Sequence, residues 1–131
     1  MLVDHFGLMI AAAVGAANCT DRDGLDALCG LNKTRVKLPK KVYADLGYSG
    51  EDMKDRMARY GIEIETVGRK CKKTFEVEPK RWIVERTFAW LGKCRRLSKD
   101  YELISNTSVN MIYLGMTRIM SRRMSKLSEI R

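Results

Sequence analysis

Apolar residues change their spacing several times along this chain, and each change predicts an element. Leu2 and Val3 open a short extended segment, His5-Phe6-Gly7 form a turn, and Leu8 to Ala16 make a second apolar run. Run length and the nearby glycine suit a hairpin whose second strand is buried on both faces, with a helix as the alternative for so Ala-rich a stretch. Asn18 to Gly24 carries loop and cap chemistry, and Asp21 or Asp23 is expected to cap a short helix through Cys29 that Gly30 ends.

Lys33 to Lys41 is a basic loop containing Pro39, after which Lys41 to Asp45 is expected to be a strand that stops at Leu46-Gly47-Tyr48-Ser49-Gly50. An acidic residue at a strand end, followed by a glycine-bracketed loop, is where α/β folds place functional groups. Ser49 is expected to cap a helix from Gly50 to Tyr60, with Met53 and Met57 as an i, i+4 apolar pair and Gly61 as its closure. Ile62 to Val67 alternates apolar and polar residues, the signal of a half-buried strand.

Gly68 to Glu78 is a cationic connection, and Pro79 suits the first turn of a long helix running to about Leu97. A last helix is expected from about Ser108 to Leu127. Its apolar side holds Met111, Ile112, Leu114, Gly115, Ile119 and Met120, with Arg118, Arg122, Arg123 and Lys126 outside. The predicted order is strand, strand, helix, strand, helix, strand, helix, helix, an α/β chain.

Composition adds two constraints. At 131 residues the chain has room for one domain, and 45% hydrophobic with 31% charged residues is a core-forming mixture. Its 25 Lys+Arg against 16 Asp+Glu favour polyanionic partners, nucleic acid before an anionic membrane. The excess is not spread evenly: residues 1–68 hold 9 basic and 10 acidic side chains, residues 69–131 hold 16 and 6. The basic surface is therefore a property of the second half.

Cys19, Cys29, Cys71 and Cys94 form no C-x-x-C pair and have one histidine, His5, to help them, which argues against a zinc site and for reduced thiols in the cytoplasm. Leu8 to Ala17 looks like a signal-peptide core, but Asp4 and His5 stand where such a peptide carries positive charge. No apolar run approaches the roughly 20 residues of a membrane span. A cytoplasmic protein without a membrane partner is expected.

The chemistry concentrates in Pro79 to Gly92 (PKRWIVERTFAWLG). At helical spacing Arg81, Glu85, Ala89 or Phe88, Gly92 and Arg96 share one face, beside an apolar stripe of Val84, Phe88, Leu91 and Cys94. Small residues among cations let a phosphate backbone approach closely. Taken alone, Arg81 and Glu85 are an ordinary exposed i, i+4 ion pair.

The surrounding block changes that reading. Phe75-Glu76-Val77-Glu78-Pro79-Lys80-Arg81-Trp82-Ile83-Val84-Glu85-Arg86-Thr87-Phe88-Ala89-Trp90-Leu91, continuing through Arg95-Arg96-Leu97-Ser98-Lys99-Asp100-Tyr101-Glu102, resembles the signature of bacterial insertion-sequence DDE transposases. Asn18 to Gly24, with its D-R-D-G, and Ala44 to Gly50 are similar to that family's preceding blocks, in the same order. The resemblance covers nearly the whole chain.

It implies an RNase H-like fold in which carboxylates bind two divalent metals, Mg²⁺ or Mn²⁺, for phosphoryl transfer on DNA. Asp45 matches the family's second Asp, at a strand end, and Glu85 its Glu, on the following long helix. The family's first Asp lies on a first strand for which this chain shows no counterpart, so the expected fold is an incomplete RNase H-like one. Residues 1–68 would be its hairpin and α/β part, and residues 69–131 its basic helical part bearing the Glu motif. Asp4 matches a commonly acidic hairpin position rather than the first metal ligand.

In the complete fold that first strand is central, so its absence would leave two inward sheet edges. Another polypeptide, such as an upstream transposase segment or a full-length copy, would supply it, or the hairpin would shift to pair with Lys41 to Asp45, or the chain would be marginally stable. The chain alone is expected not to transpose.

Arg81, Arg86, Lys93, Arg95 and Arg96 are the candidate contacts to the phosphates of element-end or target DNA. Trp82, Phe88 and Trp90 have the chemistry to stack on bases, but their spacing among apolar neighbours is expected to place them in the core. Tyr101 and Glu102, which follow Asp100, are expected to organise the turn between the last two helices. The rival reading is a non-catalytic DNA-binding product or an inert remnant.

Overall fold

The computed structural model describes residues 1–68 and 81–128. Strands β1 (Leu2–Val3) and β2 (Met9–Ala11) form an antiparallel hairpin. Helix α1 (Asp21–Asn32), strand β3 (Lys41–Ala44), a 3₁₀ turn at Leu46–Tyr48, helix α2 (Glu51–Ala58) and strand β4 (Glu63–Thr66) follow. Helix α3 (Arg81–Gly92), a second 3₁₀ turn at Arg95–Leu97 and helix α4 (Ser105–Ser128) complete it. The expected α/β order holds among the described residues. The cationic connection and Pro79 lie outside them.

β3 and β4 pair in parallel, Val42 opposite Ile64, through the crossover helix α2. The hairpin forms its own sheet and does not shift onto β3. Its pairing skips a residue: Leu2 faces Ala11 but Val3 faces Met9, so Ile10 is the extra residue of a bulge. The bulge turns Met9 and Ala11 to opposite sides. Ala11 joins Leu2, Leu28, Cys29, Val42, Met53, Met57, Ile62 and Ile64 in one core, and Met9 joins Ala12, Leu91 and Met116 in another. β2 is thus buried on both faces, although it is far shorter than the apolar run from Leu8 to Ala16.

Local chemistry moved several boundaries. Thr20, not Asp21 or Asp23, caps α1: its Oγ accepts from the Asp23 N–H at 3.2 Å and donates to the Asp23 carboxylate at 2.6 Å. The helix passes through Gly30 to Asn32, whose amide donates back to the Leu28 carbonyl at 2.8 Å. Ser49 does not cap α2; Gly50 does so without a side chain, and the Ser49 N–H closes the preceding 3₁₀ turn. At the other end the Ile62 N–H reaches the Met57 carbonyl and the Gly61 N–H the Ala58 carbonyl, a Schellman closure on a glycine at φ 69°.

The helix expected to reach Leu97 stops at Gly92, and α4 starts at Ser105 rather than Ser108. The turn entering α4 is organised by the Asp100 carboxylate, which accepts from the Glu102 N–H and the Ser108 hydroxyl, so of the two expected residues Glu102 takes part through its backbone. At Gly115 a Cβ would lie 2.8 Å from Leu97 and 3.4 Å from Leu91, so this glycine lets α4 lie close against α3.

α3 also packs through a different stripe. Thr87 is fully buried, Leu91 is buried beside it, and Phe88 stands 59% exposed, against the expectation of a Val84, Phe88, Leu91 and Cys94 face. The reason is a hydrogen bond: Thr87 Oγ donates to the Gly7 carbonyl at 2.7 Å and to Ile83 at 3.0 Å. A buried carbonyl in the hairpin turn needs a donor, and Thr87 supplies it.

Candidate functional site

A cleft of about 700 Å³ separates the hairpin from the parallel pair. Val3 to His5 of the hairpin, Lys41 to Asp45 and Ile83 to Glu85 of α3 are among the residues that line it. Two residues that the sequence singled out thereby share one cavity: Asp45, at the end of β3, and Glu85, in the second turn of α3. Both are exposed.

Asp45 is held by its surroundings. Its Oδ1 accepts from the Gly47 N–H at 2.9 Å, which caps the 3₁₀ turn. Arg22 of α1 pins the same loop, donating to the Gly47 carbonyl at 2.9 Å and the Ser49 carbonyl at 2.6 Å. A strand end is thus clamped to a helix, as a positioned carboxylate requires.

Lys41 also lines the cleft. Its ammonium reaches Glu65 at 2.8 Å and Glu63 at 3.2 Å, and these two carboxylates, Glu65 first, raise its pKa well above the usual lysine value. Tyr48 is half-buried, and burial, followed by the charges of Asp21 and Asp45, raises its hydroxyl pKa. Asp4 reaches the cleft too, but its Oδ1 accepts from the Phe6 and Leu8 N–H groups at 2.9 and 2.8 Å, so it builds the hairpin turn.

The cations divide into two groups. Arg86 donates to the Phe6 carbonyl at 2.9 Å and lies over the Trp82 and Trp90 rings, 4.2 and 4.8 Å from their centres. Arg96 binds Glu102 through Nε and a terminal nitrogen, at 3.0 and 2.7 Å. Because the chain turns after Gly92, Arg96 leaves the α3 face that the sequence assigned to it. Lys93 and Arg95 are exposed, and the Arg81 side chain lies outside the described ones.

One aromatic departs from its expected place, and one cationic face takes shape as expected. Trp82 is 44% exposed rather than in the core, three residues before Glu85. On α4, Arg118, Arg122 and Lys126 are exposed as expected, and they recur every fourth residue, a stripe with about 6 Å between successive cations. No Asp or Glu lies between Ser105 and Ser128 to offset it.

Residues 42–122 match the family model of the transposase DDE domain. The chain belongs to that family. It is also 32% identical over 122 residues to a Burkholderia cepacia protein assigned as the transposase of insertion sequence element IS402, a match covering 88% of this chain. The chain spans 58% of the length of that relative. No solved structure matches it.

Membership in the insertion-sequence DDE transposases implies an RNase H-like architecture and divalent-metal chemistry in general terms. Carboxylate oxygens suit Mg²⁺ or Mn²⁺. Among the described residues of this transposase domain, however, no three His, Cys, Asp or Glu side chains converge on one point. No helix among the described residues is long and apolar enough to cross a membrane.

Proposed function

We propose that the chain is the part of an insertion-sequence transposase that carries two of its catalytic carboxylates, Asp45 and Glu85, and that it acts on the phosphodiesters of element-end and target DNA. The observation that supports this most is their meeting in one cleft from elements 40 residues apart in sequence. The third carboxylate comes from an extended segment seated between the hairpin and β3, provided by an upstream transposase segment or a full-length copy. With it the set would hold Mg²⁺ or Mn²⁺, which supplies Lewis-acid stabilisation of phosphoryl transfer.

Arg81, Lys93 and Arg95 bind DNA phosphates, together with Arg86 and Arg96 through the donors that Phe6 and Glu102 leave over. The test uses the complete transposase assembly. Asp45→Ala and Glu85→Ala should each abolish metal-dependent end cleavage while DNA affinity stays within a few-fold. Unchanged cleavage in the Glu85 variant removes the assignment.

A second reading, a non-catalytic DNA-binding product, is favoured by the cationic stripe on α4. Such a protein would bind DNA with a steep salt dependence and ignore both carboxylate changes.

A further inference from the structure

Trp90 carries two cations. Arg86, one turn before it on α3, lies 4.8 Å from its ring centre, and Arg123 of α4 lies 4.0 Å from it, so guanidiniums from two helices share one indole. Like charges gathered this closely repel each other unless a carboxylate offsets them. Among the described residues none does. Neither arginine forms an ion pair there, and α4 holds no Asp or Glu from Ser105 to Ser128.

Contact with a ring occupies the face of a guanidinium and leaves its N–H groups, which point outward in its plane, free to donate. Arg86 donates from Nη2 to the Phe6 carbonyl at 2.9 Å, and its Nε is buried without a partner. Arg123 has no hydrogen bond to any described residue and is held by its ring contact. Two fixed, uncompensated cations with donors to spare are the makings of an anion seat.

Its position narrows the anion. The seat bridges α3 and α4, and a tetrahedral phosphate fits such a bridge because its oxygens accept from donors arriving in separate directions. A carboxylate is instead taken edge-on by one arginine. Exposed Arg118, Arg122 and Lys126 extend the positive field along α4, which favours a polyanion over a small free ion. Residues 85 and 86 leave the helix axis about 100° apart, so a phosphate held here belongs to the flanking backbone rather than to the bond at Glu85.

We propose that Arg86 and Arg123 together hold one backbone phosphate of bound DNA. The inference rests on the DNA reading above and adds to it the last helix and the sharing of a single phosphate.

A salt series counts the phosphates, because the slope of log affinity against log salt falls by about 0.9 for each phosphate that loses its cations. The full chain would be titrated with a blunt DNA duplex as the native protein, Arg86→Gln, Arg123→Gln and the double variant, each below its own unfolding midpoint. Arg86→Met, which keeps an unbranched stem over the rings, replaces Arg86→Gln if that variant does not fold. Either single change should weaken binding by about tenfold and leave the slope nearly unchanged, since the other arginine still neutralises the phosphate. The double variant should lower the slope by about 1, as removal of a lone cation at Lys93 does by itself. A fall of about 1 in each single variant and about 2 in the double one overturns the shared phosphate and leaves two separate contacts. Native affinity and slope in Arg123→Gln overturn the part given to α4. Failure of the native chain to bind the duplex overturns both this proposal and the DNA reading.

Discussion

Thr87 and Gly7, 80 residues apart in sequence, are joined by a 2.7 Å hydrogen bond that fixes α3 against the turn of the first hairpin. Gly7 sits at φ 79°, and a Cβ there would lie 2.9 Å from the Thr87 hydroxyl and 3.1 Å from both Arg86 and Trp90. Glu85 is two residues before Thr87, so this contact also sets where its helix enters the cleft.

Two substitutions test that relationship. Gly7→Ala adds left-handed strain to a close approach and should destabilise the chain by about 1–3 kcal/mol or more. Thr87→Val keeps the shape but leaves the Gly7 carbonyl without its donor, at about 1–3 kcal/mol. Urea denaturation of each variant measures both, and the double variant should cost less than the sum because the two share one contact.

Met53 and Met57 are fully buried between α2 and the parallel strands. Truncation of Met57 to Ala should cost about 2–5 kcal/mol, and Met57→Leu, which nearly conserves volume, less than about 1.5. Thermal unfolding of the two variants separates core volume from side-chain identity.

Arg86 and Lys93 should respond differently to removal. Arg86 is bonded to Phe6 and packed over two indoles, so Arg86→Ala should lower the unfolding midpoint as well as DNA affinity. Lys93 is exposed, and Lys93→Ala should leave stability within about 0.5 kcal/mol and reduce the slope of log affinity against log salt by about 1. Calorimetry with salt-dependent DNA binding checks the pair.

Asp23 ties α1 to α2. Hydrogen bonds from Thr20 and Arg56, together with the Arg56 charge, hold its pKa below the ordinary 3.8. A carboxylate depressed in the folded state stabilises above its unfolded pKa, and that contribution disappears as pH falls through the folded value. The stability difference between the native chain and Asp23→Asn should therefore be constant near neutrality and close in acid below the ordinary value. A denaturation series across that range measures it.

Cys29 is buried in the first core, and burial, followed by the Asp26 charge, raises its thiol pKa above 9.0. Low thiolate content and enclosure act together. In a chain where Cys29 is the one remaining cysteine, a thiol reagent near neutral pH should react only at the rate of global opening. Mild denaturant should accelerate it.

Most element positions were legible because their determinants are local. The alternation in Ile62 to Val67, the methionine pair of α2 and the Gly61 closure act within one or two turns of chain, and each lies where its pattern placed it. Boundaries were less legible where two neighbouring groups competed for one role, as Thr20 did with Asp21 and Asp23. The candidate carboxylates were legible from their sequence block, which named Asp45 and Glu85 without any view of the space between them.

By itself the sequence determined the elements, the basic second half and the family to which the chain belongs. Only the tertiary structure decided which side of α3 is buried, because that depends on a donor demanded by the Gly7 carbonyl far away in sequence. The same contact sends Phe88 to the surface, and the Arg86 anchor on Phe6 keeps Trp82 at the edge of its stack. Likewise, the bulge at Ile10 commits β2 to two cores, and the separation of the two sheets opens the cleft in which Asp45 and Glu85 meet. Helical and strand periods specify a face within one element; which face is covered is settled by hydrogen-bonding groups and apolar surfaces that distant segments bring to it.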